Sequence, residues 1–247
     1  GVETIFTVAG GHFLPTYDAI GRQGAPRVVS ARHELGAGYM ASGHALVTGR
    51  PGVVFSGAPG PGATNLVTPV ANAHADSIPL LVLTGQVDRR YLNRPILQYC
   101  DNVGLLRPFC KSSRQATSAA ELPQLIATGL QIASSGRPGP VHVDLPQSLQ
   151  AELLAAPAEL PAAILSPTEP AEADLAAILG SLTESARPAI LAGHGVLRAG
   201  GALALRELAE RSGAPVATSR SGIGTIPSGA PLSVGMLGFY GSAAAEE

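Results

Sequence analysis

The sequence predicts an α/β protein in which a mostly parallel sheet carries helices on both faces. Short β-branched runs recur along the first part of the chain, and alanine-rich segments of helical length separate several of them. Such alternation is typical of parallel sheets, because the helical crossovers between parallel strands cover both faces of the sheet. A second, incomplete α/β unit is expected to follow, since the pattern fades near residue 150 and resumes near residue 173.

The elements of the first unit follow from these runs in order. Strands are predicted over residues 5–8, 27–29, 52–55, 80–83 and 141–143, and helices over residues 34–46, 61–75 and 119–134. The second helix begins with Pro61, which fits a first helical position because the missing amide has no partner there. In a parallel sheet of this kind, the loops after the strands are expected to carry the chemistry.

The domain organisation follows from the composition. A first domain is expected over residues 1–149, a linker rich in alanine, proline, glutamate and leucine over 150–172, and a second domain over 173–247. The second domain shows helices near 173–182 and 201–212 and strands at 189–192 and 215–218. Two strands are too few to bury these helices, and the first residues resemble the middle of a domain, so the chain is expected to be a fragment.

Charge and cysteine usage exclude several classes of partner. The formal net charge is −2 with no basic stripe, which argues against nucleic acid and anionic membranes. No apolar run is long enough to span a bilayer. Cys100 and Cys110 lack the spacing of a zinc site or a disulfide framework, so no metal ligands are predicted and a reducing cytoplasm is favoured.

Three features at predicted strand ends could form a binding site. Glu34 follows a strand and opens a helix, where the helix dipole favours a negative charge. Gly10-Gly11 and the segment Gly60-Pro61-Gly62-Ala63-Thr64-Asn65 follow two other strands, and such turns let backbone approach a ligand closely. Each feature alone has an ordinary explanation as a first-turn acid or a strand-to-helix bend. Together, at one edge of one sheet, they outline a pocket.

Several short motifs give the chain a specific resemblance to a known family. They are Gly1-Val2-Glu3, Gly10-Gly11, Arg32-His33-Glu34, Gly60-Pro61-Gly62-Ala63-Thr64-Asn65, Asp76-Ser77-Ile78-Pro79, Thr84-Gly85-Gln86-Val87 and Gly136-Arg137-Pro138-Gly139-Pro140. In this order they resemble the thiamine-diphosphate-dependent 2-oxo-acid enzymes, most closely the acetolactate synthase large subunits. The resemblance implies a pyrimidine-binding domain followed by part of the central domain.

The resemblance also implies cofactor and site residues. In that family, the glutamate that Glu34 matches hydrogen-bonds a pyrimidine nitrogen of thiamine diphosphate and favours the imino tautomer. Residues that match positions near the pyrimidine are Gly10, Gly11, Pro61 and Asn65. Residues that match polar groups of the substrate channel are Gln98 and Lys111. Residues that match stretches bordering flavin adenine dinucleotide (FAD) are Arg137, Gly193, His194, Gly195, Met236, Leu237 and Gly238.

The function implied by the resemblance is decarboxylation of a 2-oxo acid such as pyruvate, followed by carboligation to a second carbonyl. The chain lacks the Gly-Asp-Gly stretch with which the family binds Mg²⁺ and the diphosphate, so it is expected to be inactive until that region joins it. The family builds each site from two subunits, which implies a homodimer, a tetramer or a separate diphosphate-binding chain.

Two alternatives stay open at this stage. Departures from the family pattern, at Ala9, Ala58-Pro59, Leu97, Tyr99 and Gln147, leave room for a lyase or acyltransferase that acts on a different 2-oxo acid. A non-catalytic subunit that keeps the pyrimidine domain and requires a partner chain is the other, although the retained Glu34 argues against it.

Overall fold

In a computed structural model that describes residues 2–154 and 169–246, the chain divides into two units, residues 1–167 and residues 168–247. The linker expected over 150–172 spans this division, and its residues 155–168 lie outside the described part.

The first unit is built on a parallel sheet. Among residues 2–154, the strands are β1 (Thr4–Val8), β2 (Arg27–Ser30), β3 (Gly52–Ser56), β4 (Leu80–Gln86), β5 (Ser112–Gln115) and β6 (Pro140–Pro146). They lie in the order β2-β1-β3-β4-β6-β5, and every neighbouring pair is parallel. The predicted α/β class with a parallel sheet is confirmed.

The helices of this unit cover both faces of the sheet. They are α1 (Leu14–Gln23), α2 (Glu34–Thr48), α3 (Pro61–Asn65), α4 (Val67–Ala75), α5 (Asn102–Leu106), α6 (Leu122–Ser134) and α7 (Gln147–Gln150). On one face, apolar residues of α1 and α6 pack against Phe55, Leu83 and Val143. On the other face, α2 and α4 pack against Val54 and Val82. The strands buried on both faces carry continuous apolar runs, Val53-Val54-Phe55 in β3 and Leu80-Leu81-Val82-Leu83 in β4.

The structure differs from the sequence prediction in three respects: α1, α5 and α7 were not predicted, one predicted helix is interrupted, and one strand was missed. The helix expected over 61–75 is interrupted at Leu66, because Pro69 has no N–H to donate to the carbonyl of Asn65. The polar strand β5 was not predicted. It lies at the edge of the sheet, where Ser113 and Gln115 face polar partners on β6, so it lacks an apolar pattern.

The second unit carries a smaller parallel sheet. Among residues 169–246, its strands are β7 (Ile190–Ala192), β8 (Val216–Thr218) and β9 (Ser233–Met236), in that order, and its helices are α8 (Glu172–Glu184), α9 (His194–Arg198), α10 (Ala202–Ser212) and α11 (Ala243–Glu246). The expectation of two strands was wrong. β9 is short, half-buried and interrupted by Gly235 at φ 96°, so its sequence carries no strand pattern. In the described parts of both units, no helix combines the length and apolar character needed to cross a membrane.

Candidate active site

The strand order creates a crevice at the carboxyl ends of β1 and β3. The chain leaves β1 through α1 on one face of the sheet, and it leaves β3 through α3 and α4 on the other face. Helices that depart in opposite directions from adjacent parallel strands leave an opening between them, which is where open α/β sheets bind ligands. The loops that contain Gly10, Gly11 and the segment from Gly57 to Asn65 border this opening.

Backbone packs against backbone where the two loops meet. A Cβ built on Gly10 would lie 2.4 Å from the carbonyl carbon of Gly57, and a Cβ on Gly57 would lie 2.3 Å from the nitrogen of Gly10. The His12 amide donates to the Gly57 carbonyl at 3.2 Å. Only glycine fits at positions 10 and 57, so these two residues serve the close approach of the strand ends.

Glu34 reaches the same opening from the neighbouring strand. It is the first residue of α2, directly after β2, and its side chain is buried. The Asn65 amide donates to Glu34 Oε2 at 2.9 Å across 31 residues of sequence. His33 accepts the Leu35 amide and so caps the helix, which leaves the Glu34 carboxylate at the positive end of the α2 dipole.

The second oxygen of Glu34 faces a glycine. No described residue donates to Glu34 Oε1, and a Cβ built on Gly62 would lie 3.3 Å from it and 2.2 Å from Ser56 Oγ. Gly11 is different from its neighbour Gly10, because a Cβ there would meet nothing within 4 Å. The space beside Gly11 and the free oxygen of Glu34 are therefore available to a ligand.

Gln98 lies against the loop that contains Gly60, whereas Lys111 lies elsewhere in the first unit. A Cβ built on Gly60 would lie 2.9 Å from the Gln98 carbonyl oxygen. Lys111 precedes β5, so it lies at the amino ends of the strands. Its ammonium there donates to the carbonyls of Ile132 and Ser135 at the end of α6. Cations stabilise helix carboxyl ends, so within this unit Lys111 has a structural partner. Its assignment to a substrate channel stays a prediction.

The residues predicted to border a flavin fall into two sets. Gly193 and Gly195 follow β7, Met236 is the last residue of β9, and Leu237 and Gly238 follow it. All five therefore lie at the carboxyl ends of the strands of the second sheet. The Leu237 amide donates to the Thr218 carbonyl at 2.8 Å, which fixes this edge. Arg137 belongs to the first unit, where its guanidinium donates to Ser77 Oγ at 2.8 Å and to the carbonyls of His74 and Ala75 at the end of α4.

Comparison with known proteins identifies the family. The family model for the thiamine pyrophosphate enzyme, N-terminal TPP binding domain, matches residues 1–105, and the model for the central domain of the same enzymes matches residues 175–247. The chain belongs to the thiamine pyrophosphate enzyme family. Thiamine pyrophosphate is the same compound as thiamine diphosphate.

Curated relatives in this family match nearly the whole chain. The mitochondrial acetolactate synthase catalytic subunit of Saccharomyces cerevisiae is 40% identical over 257 residues, which cover 99% of this chain and 37% of the yeast protein. The acetolactate synthase large subunit of Parasynechococcus marenigrum is 40% identical over 98% of this chain and 40% of its own length. For acetolactate synthase isozyme 1 large subunit of Escherichia coli the values are 38%, 98% and 42%. The chain therefore spans about two fifths of the length of these relatives.

The residues at these strand ends fit the pyrimidine ring of a thiamine pyrophosphate enzyme. A flat ring with an N–H group needs backbone that can approach it closely and one carboxylate oxygen that is free to accept a hydrogen bond. Gly11, where a Cβ would meet nothing within 4 Å, provides the first, and Glu34 Oε1 provides the second. Among residues 2–154 and 169–246, no three histidine, cysteine, aspartate or glutamate side chains come together in a way that could hold a metal ion.

Sequence reasoning missed a buried polar cluster beside this pocket. Asp144 on β6 is fully buried and accepts hydrogen bonds from Thr84, Gln86, Asn102 and Gln115. Burial raises the pKa of the Asp144 carboxyl, and these hydrogen bonds oppose the rise. The signal in the sequence is the run of polar residues at alternate positions of two buried strands, Thr84 and Gln86 on β4 and His142 and Asp144 on β6.

We predict that His142 stays neutral as the Nε2–H tautomer from about pH 5 to pH 8. Thr84 Oγ1 donates to Asp144 Oδ1 at 2.6 Å, so the ring must donate from Nε2 to Thr84 at 2.8 Å. Ser113 Oγ lies 2.8 Å from Nδ1 and 3.0 Å from the Val103 carbonyl, and in the neutral Nε2–H tautomer its single proton is donated to Nδ1. Complete burial lowers the pKa of His142 to about 3. Ring ¹⁵N chemical shifts of His142 measure the tautomer directly.

The neutral His142 makes the free energy of unfolding depend on pH in the acid range. The unfolded histidine has a pKa near 6.5, above the value of about 3 in the folded state, so the unfolded state binds more protons between these values. The contribution of His142 is therefore fully present above about pH 6.5 and is lost as the pH falls toward 3. His142→Gln should flatten this acid dependence of the urea midpoint, and a ring titration near neutral pH would contradict the assignment.

Proposed function

We propose that this chain is the pyrimidine-binding part of an acetolactate synthase-type enzyme. The complete enzyme would use thiamine diphosphate to decarboxylate a 2-oxo acid, with pyruvate as the first candidate, and would join the two-carbon unit to a second carbonyl. The supporting observation is the buried Glu34 carboxylate, with one oxygen held by Asn65 and the other free beside Gly62. The acetolactate synthase names of the relatives support the choice of reaction.

Glu34 is proposed to hold a proton at the pyrimidine ring. Its Oε1 would accept a hydrogen bond from a ring nitrogen, and the bond from Asn65 to Oε2 fixes the plane of the carboxylate for that purpose. The position at the start of α2 favours the charged form, which is the stronger acceptor. When bound, thiamine diphosphate supplies the reactive carbon and the electron sink for decarboxylation.

The glycine turns and Gln98 are proposed to place the ring and the substrate. Gly11 and Pro61 border the opening, and Gln98 is held against Gly60 next to it. Gln98 is exposed, so its side chain is available to a 2-oxo acid. The departures at Ala58-Pro59, Leu97 and Tyr99 fall in these same loops, and they bear on which 2-oxo acid is accepted.

The diphosphate and Mg²⁺ are proposed to be bound by a region outside this chain. Mg²⁺ prefers carboxylate, phosphate and water oxygens in octahedral geometry, whereas the loops at this pocket offer mainly backbone amides. That region would come from the same polypeptide or from a partner chain, in a homodimer or a tetramer.

Product analysis tests the reaction. The active protein, which combines this chain with a diphosphate-binding region, is incubated with thiamine diphosphate, Mg²⁺ and pyruvate. The products are identified by NMR. Acetolactate supports the proposal, and a free aldehyde or a different acyl product favours the lyase or acyltransferase alternative. Failure to bind thiamine diphosphate would favour the non-catalytic subunit.

FAD is proposed to bind at the carboxyl edge of the second sheet, in a structural role. We expect Gly195→Val to lower the affinity for the flavin at least about tenfold, because the valine side chain would occupy space that the fold leaves open there. Flavin absorbance of the purified protein, titrated with added FAD, measures the effect. The assignment of Arg137 to this site stays a prediction.

Gly180→Val is the matched control for this experiment. Gly180 is also a helical glycine whose Cβ would meet nothing within 4 Å, but it lies in α8, away from the strand ends. The two variants carry the same cost in helix propensity. Equal flavin binding by both, or a protein that takes up no flavin at all, would contradict the proposal.

A further inference from the structure

The carboxylate of Asp144 is saturated by neutral donors. Thr84 and Asn102 donate to Oδ1 at 2.6 and 2.9 Å, and Gln86 and Gln115 donate to Oδ2 at 3.2 and 2.7 Å. No lysine or arginine of the described residues pairs with it. Only an ionised carboxylate offers four lone-pair directions and no donor, so aspartate is the one short side chain that satisfies all four groups.

Two of these donors also hold the chain near Gln98. The Gln86 amide nitrogen that contacts Asp144 donates to the Cys100 carbonyl at 2.8 Å, while its oxygen accepts the Val87 amide at 3.0 Å. The amide of Asn102 contacts Asp144 and, at 3.4 Å, the Gly85 carbonyl. Gln86 and Asn102 are completely buried, so neither amide can rotate to water. The segment from Cys100 to Asn102 is thereby attached to the end of β4.

Gln98 lies in a tight turn beside Gly60. It has φ 67° at the third position of this turn, which the Tyr99 amide closes by donating to the Ile96 carbonyl at 3.2 Å. Its carbonyl packs against Gly60, two residues before the anchored Cys100. The turn sets the conformation of Gln98. Leu97 is 88% exposed, so the position of the turn depends on Gly60 and on the Cys100 side.

We propose that Asp144, acting through Gln86, is a positioning residue for Gln98. The carboxylate fixes the Gln86 amide, the amide fixes Cys100, and the turn that contains Gln98 is thereby held against Gly60. This inference rests on the proposed function, in which Gln98 contacts the 2-oxo acid. Asp144 and Gln86 do not touch the substrate themselves.

A single tryptophan can report on this loop. The chain contains no tryptophan, so Leu97→Trp introduces one fluorophore at an exposed position beside Gln98. Gln86→Met and Gln115→Met are then compared in this background, because each removes one amide donor from the same Asp144 oxygen and only Gln86 contacts Cys100. We expect the residual anisotropy of the introduced tryptophan to fall by about half in Gln86→Met and to stay unchanged in Gln115→Met. Equal anisotropy in the two variants would overturn the proposal.

Kinetics of the active protein provide the second readout. We expect Gln86→Met to raise KM for pyruvate about tenfold with kcat within about twofold, and Gln115→Met to change neither. An equal rise of KM in both variants would overturn the positioning role. If the unsubstituted protein does not turn over pyruvate, the proposed function fails, and the anisotropy comparison still decides whether Gln86 holds the loop.

Hydrogen exchange covers the case in which Gln86→Met does not fold. In the unsubstituted protein, amides 99–102 are expected to exchange more slowly than amides 91–96, although both segments contain backbone hydrogen bonds. Exchange of both segments at the same rate would overturn the proposal.

Discussion

Glu34→Gln in the active protein should slow proton exchange at the thiazolium carbon of bound thiamine diphosphate by about a hundredfold to ten-thousandfold. A neutral amide accepts a hydrogen bond more weakly than a carboxylate, and it presents an N–H group where the pyrimidine nitrogen also carries a proton. The Asn65 contact survives, because the glutamine oxygen can still accept at the position of Oε2. Hydrogen–deuterium exchange followed by ¹H NMR measures the rate.

Glu3→Gln is the control for the charge change. Glu3 is an exposed carboxylate that pairs with Arg50. It directly precedes β1, so it lies at the amino ends of the strands, away from Glu34. We expect the Glu3→Gln variant to exchange the proton at the thiazolium carbon at the same rate as the unsubstituted protein. Glu34→Gln should change the free energy of unfolding by no more than about 1 kcal/mol, and Glu3→Gln should leave the urea midpoint unchanged. An unchanged exchange rate in Glu34→Gln would remove the assignment of Glu34.

Gly10→Ala should destabilise the first unit by about 3 kcal/mol, whereas Gly11→Ala should cost less than about 0.5 kcal/mol. The alanine Cβ at position 10 would lie 2.4 Å from the backbone of Gly57, and neither strand end can move without breaking the β1–β3 pairing. At position 11 the same methyl group meets nothing within 4 Å. Urea unfolding of both variants measures the difference.

Gly11→Ala, which leaves the stability of the fold nearly unchanged, is expected to weaken cofactor binding. Gly11→Ala keeps the fold and places a methyl group in the space assigned to the pyrimidine, so its affinity for thiamine diphosphate in the active protein is expected to fall about tenfold. Gly57→Ala should behave like Gly10→Ala, since its Cβ would lie 2.3 Å from the Gly10 nitrogen. Equal stability of the position 10 and position 11 variants would contradict the close approach.

The pattern of strands and helices could be predicted because it is local. Five strands of the first sheet are apolar runs, and Glu34 opens a helix after a strand, so both are visible in neighbouring residues. The glycine turns are visible for the same reason. The polar edge strand β5 and the glycine-containing β9 were not predicted, because tertiary pairing places them in sheets that their own composition does not favour.

The positions of cationic side chains could not be predicted from the pattern. Lys111 directly precedes β5 and Arg137 precedes β6, so both lie near the amino ends of the strands, where they bind the carbonyls at the ends of α6 and α4. The position of Lys111 could not be predicted because β5 has no apolar pattern, and the helix ends that both residues bind are set by tertiary packing.

The sequence by itself therefore determined the α/β class, the family motifs and the residue types at the strand ends. Only the tertiary structure decided that β2, β1 and β3 are neighbours, which brings Asn65 to Glu34 and Gly57 to Gly10. It also decided that Asp144 collects donors from β4, β5 and α5. Strand order and register depend on packing between residues far apart in the chain, and local periodicity carries no information about which strands become neighbours.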